Sequence, residues 1–408
     1  MPALSDDLVR LNEPSFYHGN PHVVYEQMRR EAPLYWYERG GFWVATRYDD
    51  IQHVSKATDL FSIESGMLIT DVLNGVDALN TMFPDGVENF VTADPPRHAE
   101  LRSLVTFAFS RRRVLGMQDR IEEIVNAYLA PIESGTEFEF VSKVSIPVPI
   151  EVIQAFMDLD DMPIDDAFRW SEAIFKMGSD LSEAEYKKIG ASLEGMFAYF
   201  NGIVESRREE PKDDFIGRLA ASELDGKKLV NMMVEVYCQV ILVAGNETTR
   251  NGISAAVKLF SDHPDQYQRL LDDETLIDSA VEEILRYHNP TLGFMRTAKC
   301  DTEIRDTKIS EGQHVYMIYG AGNRDPDVFP DPDIFDIGRF RKPFPMHITF
   351  GFAEHVCMGS ALARLEMRIV LKQLRSRFSK IEVVGEPERP DSLLGNGFVT
   401  MPTRFTAI

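Results

Sequence analysis

The segment Phe350-Gly351-Phe352-Ala353-Glu354-His355-Val356-Cys357-Met358-Gly359 sets one cysteine between turn-forming stretches and just ahead of an amphipathic helical pattern. A thiolate placed there is favoured by the positive end of the following helix and by any metal it binds. With three cysteines in 408 residues, the chain has no disulfide framework to which this thiol could belong. An isolated thiol can be a metal ligand or an inert buried cysteine. Zinc is the weaker metal reading, because it needs three or four spaced ligands and only the His355-x-Cys357 pair is at hand. Glycines at 351 and 359 let a large planar ligand approach the backbone, and Phe350 can shield the sulfur from water. The helical pattern behind the loop puts Ala361, Leu362, Leu365 and Ile369 on one stripe, which is expected to seat the loop on the core.

Three other segments carry residue types suited to chemistry. Ala244-Gly245-Asn246-Glu247-Thr248-Thr249 follows an apolar run from Val236 to Val243, yet glycine and threonine are poor helix-interior residues, so something offsets their cost. Ala244, Glu247 and Thr248 fall at i, i+3 and i+4, which puts an acid and an alcohol beside a small residue on one expected face. Alternatively, Thr248 bonds back to a helix carbonyl and Glu247 pairs with a surface cation. Glu283-Ile284-Leu285-Arg286 brings a carboxylate and a guanidinium within bidentate reach, a spacing also common on helix surfaces. His98 and Arg102 stand one turn apart after Pro96. With Arg296 and His355 they could anchor carboxylates, or be solvated.

These four segments resemble, in this order along the chain, the motifs of the cytochrome P-450 superfamily. The haem loop of that family, Phe-Gly-x-Gly-x-His-x-Cys-x-Gly, is matched at every fixed position but one. The exception is Ala353, where the family usually carries glycine. A positive φ at that residue would cost alanine on the order of 1 kcal/mol. The resemblance implies a mainly α fold with a small β portion, and haem b buried between the long central helix and the helix after the cysteine loop. It makes Cys357 the axial thiolate, and Phe350, His355, Gly359, Ala244, Gly245, His98, Arg102 and Arg296 haem contacts. Glu247 and Thr248 become the proton-delivery pair, with Gly245 lining the oxygen pocket. Glu283 and Arg286 become structural, with Arg339 as third member of their ion cluster.

A thiolate opposite the oxygen site favours oxygen-oxygen cleavage, so the implied reaction is monooxygenation. One atom of molecular oxygen would enter a hydrophobic small molecule such as a terpenoid, steroid or fatty acid. By position in the family, its pocket draws on Met67, Leu68, Ile69, Met82, Val240, Leu292, Phe294, Leu394 and Phe398, although core packing explains any one of these alone. No flavin or nicotinamide fingerprint is present, so electrons are expected from a separate ferredoxin with its reductase. Arg111-Arg112-Arg113, with Arg97 and Arg364, would form a basic spot for an acidic carrier, unless they are simply a solvated charge run. A peroxide-driven haem-thiolate peroxygenase and a non-catalytic haem sensor or carrier are the competing readings. The Glu247-Thr248 pair disfavours both.

Composition and patterning bound the elements that must position these residues. A net charge of −22 leaves no excess of cations for phosphates and argues against general nucleic-acid binding. Met1 to Phe16 is polar and acidic, without a signal-like apolar region or membrane anchor. The densest apolar run, around Val240 to Ala244, is far short of the ~20 residues of a span. With few cysteines, a reducing cytoplasm is the expected location. No linker or repeat divides the chain, so one domain over residues 1–408 is expected, with a β-rich portion at about 34–60 and scattered C-terminal strands. The 26 phenylalanines and 17 methionines can fill one core and line an adaptable apolar cavity.

Patterning predicts a helix over 22–31, then a hairpin of Leu34 to Tyr37 with Phe42 to Thr46 around Arg39-Gly40-Gly41. Helical periodicity follows from Pro95 and over 114–131, 163–207 and 228–288. Strand patterns run from Phe294 to Ala298, His314 to Tyr319 and Phe398 to Phe405. Phe61 to Ala93 has no period and is too long for an ordinary connection, which marks it as a functional or mobile loop.

Overall fold

The computed structural model describes residues 4–75, 87–159, 161–176, 183–342 and 344–408. Its principal helices, in chain order, are α1 (Arg97–Thr106), α2 (Pro147–Phe156), α3 (Ile164–Lys176), α4 (Glu183–Glu209), α5 (Asn231–Asp262), α6 (Ile277–His288) and α7 (Ser360–Arg377). The chain divides into two compact units.

One unit comprises Met1–Met82, Asp272–Cys357 and Arg389–Gly397. Its centre is a five-stranded sheet of β1 (Leu34–Tyr37), β2 (Phe42–Ala45), β3 (Phe61–Ser62), β4 (Gly293–Ala298) and β5 (His314–Ile318), in the order β1-β2-β5-β4-β3. Strand β5 pairs parallel with β2 and antiparallel with β4, so that Val315 lies opposite both Trp43 and Arg296. Side chains alternate across a sheet. Tyr316 and Ile318 therefore join an apolar cluster with Tyr37, Phe42, Val44 and Met295, while Val315 and Met317 join another with Ala45, Phe61, Ala298 and Ile348. Helix α6 buries Ile277, Ala280, Val281, Ile284 and Leu285, the i, i+3, i+4, i+7, i+8 stripe of a core-facing helix. It stops at Asn289, which has φ +42 and precedes Pro290, a position where helix continuation is disfavoured.

The second unit comprises Phe83–Leu271, Met358–Glu388 and Phe398–Ile408. Helix α5 has 32 residues and so runs about 48 Å. It packs against α2, α3, α4 and α7, in keeping with a helix apolar around most of its circumference. Gly245 is what lets α2 come close, since a Cβ there would stand 2.4 Å from Ile153 Cδ1. A three-stranded sheet of Phe378–Val383, Pro402–Ala407 and Glu137–Glu139 completes this unit. Phe378 and Phe405 stack there at 4.8 Å between centroids.

Several predicted boundaries differ. The periodic stretch 228–288 is three helices, because His263 precedes Pro264 and leaves the α region at φ −124, ψ 67, and Asp273 caps a new turn by accepting from Thr275 N–H at 3.0 Å. Residues 114–131 break at Met117, and the strand expected from Phe398 begins at Pro402. A helix, Tyr48–Lys56, occupies much of the portion read as β-rich. Ile51 and Val54 at i, i+3 are buried while Asp49, His53 and Lys56 face solvent, the helical signal of this segment. Ala361 is exposed, so the buried stripe of α7 is Leu362, Leu365 and Ile369. No helix among the described residues is long and apolar enough to cross a membrane.

Candidate active site

The cysteine loop is built up from α6. Glu283 on that helix accepts from Arg286 Nε at 2.7 Å and Nη2 at 2.9 Å, and Arg339 Nε lies 3.1 Å from the same carboxylate. Arg286 donates onward to the carbonyls of Asn323 and Pro332, both at 2.9 Å, and Arg339 to those of Pro330 and Ile334. Glu283 and Arg286 are fully buried, where a charge is tolerable only when paired and hydrogen-bonded on every side. The cluster thus ties residues 323–339 to α6.

Asn323 carries the connection forward. Its side chain accepts from Ile348 N–H and donates to Thr349 Oγ1, each at 2.8 Å, while the Thr349 hydroxyl donates to Leu285 O at 2.9 Å. The loop then closes on itself: Gly351 N–H reaches Ile348 O at 2.9 Å and Cys357 N–H reaches Phe350 O at 2.8 Å. Two residues inside it have positive φ, Gly351 at +74 and Ala353 at +59. Ala353 therefore sits in the left-handed region that glycine would fill without strain. Cys357 is exposed and in no disulfide, three residues before α7 begins. Phe350 and His355 are half-buried beside it. Arg296 is buried on β4, donating to Met295 O at 2.7 Å.

In the second unit, α5 carries the residues 244–248 singled out from the sequence. Ala244 is exposed and Thr248, one turn on, is half-buried, so a small residue and an alcohol share one strip, whereas the side of Gly245 expected to line a pocket is filled by Ile153 of α2. The Thr248 hydroxyl donates to Ala244 O at 2.8 Å. Glu247 does not share that strip. It is buried, with Arg250 Nη2 donating to its Oε1, and Glu172 on α3 stands 3.9 Å from Arg250 Nη1. Burial pushes the Glu247 carboxyl up, Arg250 opposes, and Glu172 adds to the rise. Consecutive residues point about 100° apart on a helix, and the cation one turn on draws the acid toward α3. His98 is buried on α1 and its imidazolium is disfavoured by burial and by Arg102, which is half-buried one turn later.

Of the expected substrate-lining residues, several converge on β4: Met295 N–H donates to Met67 O at 2.8 Å and Leu292 N–H to Leu394 O at 2.9 Å. Leu68, Phe294 and Leu394 are half-buried, whereas Ile69 and Leu292 belong to an apolar core cluster. Val240 is half-buried on α5 and Phe398 is buried. Met82 lies outside the described residues. The basic spot is smaller than expected, because Arg97 is held by Glu88, Glu100 and Asp225 at 2.6 to 2.9 Å and Arg113 by Asp158 at 3.0 Å. Arg111 and Arg112 are exposed on a short helix with Leu115. Residues the sequence reading passed over are Arg250, whose i+3 spacing from Glu247 is the legible signal, and Glu282 and His347, which join only in three dimensions.

Haem fits this donor set. Among the described residues no three His, Cys, Asp or Glu side chains group to hold an ion, so a metal at Cys357 must bring its other ligands with it, as a porphyrin does. The exposed thiol of Cys357 is the protein ligand such a group requires, and each unit by itself carries a cation suited to a carboxylate, Arg296 on β4 in one and Arg102 on α1 in the other. Fold and donor set together define a haem-thiolate protein.

The family model for cytochrome P450 (cytochrome P-450) matches residues 16–408, and the chain belongs to that family. It is 32% identical to linalool 8-monooxygenase of Pseudomonas putida, covering 95% of this chain and 96% of the relative. It is 30% identical to steroid C26-monooxygenase of Rhodococcus jostii, over 92% and 80%. A solved cytochrome P-450 of Chondromyces apiculatus superposes with a TM-score of 0.83 at 32% identity, over 98% of both chains. One of Bacillus megaterium, in complex with testosterone, gives 0.80 at 30% identity, over 95% and 99%. The family match runs through both compact units. The protein is a monooxygenase whose cofactor is haem b with an axial cysteine thiolate.

Proposed function

We propose that this monooxygenase hydroxylates a hydrophobic small molecule of terpenoid, steroid or fatty-acid type, with Cys357 as its axial ligand and a ferredoxin with its reductase as electron source. The observation that carries the ligand assignment is the exposed thiol held by the closed 350–357 loop. When bound, haem supplies the oxygen activation. The chain's own residues do the rest. His98, Arg102, Arg296 and His355 would hold the haem carboxylates by charge-assisted hydrogen bonds. Ala244 would leave room on α5, and Glu247 with Thr248 would deliver protons from the α3 side. The substrate class is supported by relatives whose names are those of linalool and steroid monooxygenases, and by the apolar residues gathered along β4. The whole chain acts as one haem-thiolate unit, and we place it in the cytoplasm.

The test is turnover of a lipophilic panel with ferredoxin, reductase and reduced nicotinamide, set against peroxide alone. Products in the first arm support the reading. Products with peroxide only would favour a peroxygenase, and none in either arm a haem sensor or carrier. T248A and E247Q are each expected to lower turnover by about 10²-fold or more, the low end of general acid-base contributions, while substrate still shifts the Soret band.

A further inference from the structure

We propose that Glu282 and His347 are a positioning pair for the axial ligand, fixing the Phe350 ring and through it the loop that presents Cys357. This rests on the reading of Cys357 as the haem ligand. The His347 side chain is fully buried. Its Nδ1 faces Thr349 N–H at 3.4 Å and its Nε2 faces Glu282 Oε2 at 3.0 Å. A backbone N–H can only donate, so Nδ1 accepts, the ring is neutral, and Nε2–H donates to the carboxylate. One hydrogen bond on each side thus sets both the tautomer and the orientation of the ring.

That ring is a wall for Phe350. The two centroids are 5.9 Å apart at 38°, and Phe340 meets His347 edge-on at 5.9 Å and 88°. Phe340 is pegged in turn by its N–H to Ser279 Oγ at 3.0 Å. Ser279, Glu282 and Leu285 recur every three residues along α6, so one stripe of the helix indexes Phe340, His347 and Thr349 in succession. Phe350 then supplies the carbonyl that Cys357 N–H reaches at 2.8 Å. Rotation of the imidazole would free the Phe350 ring and loosen the bond that closes the loop. Partners one step behind a metal ligand typically change metal retention 10- to 100-fold when removed.

The variants are H347F, which keeps an aromatic ring of similar size and loses the donor, E282A, which removes the acceptor, and E282Q, which keeps one. Haem release to an apo-globin acceptor, the haem midpoint potential and the fraction of reduced carbon-monoxide complex with thiolate ligation are read on each purified protein. H347F and E282A are expected to release haem about tenfold faster, with a shifted potential and a smaller thiolate fraction. E282Q should stay within about twofold of the parent, and the H347F/E282A double variant should be no worse than either single one, as for a coupled pair. Parent-like release and potential in E282A would overturn the proposal, as would E282Q behaving like E282A. If H347F fails to fold, the two Glu282 variants decide alone. A parent protein without a thiolate signature would instead refute the assignment of Cys357.

Discussion

Ala353 is where local chemistry and loop geometry disagree. Its φ of +59 costs alanine about 1 kcal/mol that glycine would not incur. A353G should therefore hold haem longer in the same release assay, and faster release would show that this strain is not limiting. Glu366 on α7 is the opposite case, a buried acid whose carboxyl is pushed well above its ordinary value of 4.5 by burial alone. The folded state then binds a proton that the unfolded state gives up. The stability linked to this group is fully present below pH 4.5 and is lost as pH rises toward the folded value. E366Q cannot ionise, so it should gain stability relative to the parent as pH rises above 4.5. Denaturant midpoints that move in parallel for both proteins across pH would contradict this.

At the scale of elements, α6 and α5 do different work. The Glu283-Arg286-Arg339 cluster is buried and fully hydrogen-bonded, and removing one member of such a cluster costs about 3–5 kcal/mol. E283A should lower the denaturant midpoint accordingly; a loss below about 1 kcal/mol would mean the cluster is not cohesive. On α5, alanine at 245 gains about 1 kcal/mol of helix propensity, while overpacking against Ile153 costs about 1–3 kcal/mol. G245A should thus be neutral to destabilising, and less so in an I153V background, where the closest atom is gone. Glu283-x-x-Arg286 and the helical face of α7 were legible because spacing along one helix decides both. The partnership of Glu247 with Arg250 and Glu172 was not, because helical periodicity places residues on faces without saying which neighbour each face meets. Strands β4 and β5 were read within a residue or so from apolar runs, whereas the two-residue β3 has no pattern of its own.

Over the whole molecule the charge is −22, and of the four arginines 97 and 111–113, Arg111 and Arg112 are exposed while Arg97 and Arg113 pair with carboxylates. R111E/R112E should slow reduction by an acidic ferredoxin about tenfold at low ionic strength, with the difference fading as salt screens it. Equal rates at low salt would remove these residues from the docking surface. Composition argued against general nucleic-acid binding but could not name a substrate, since an apolar lining is read from side chains that equally make a core. The most direct test of the central claim is the absorption spectrum of the reduced, carbon-monoxide-treated protein beside its C357S variant. The parent should show the long-wavelength Soret band of a trans thiolate and C357S should lack it. A colourless parent under ample haem supply, or a C357S protein that keeps the band, would contradict the account.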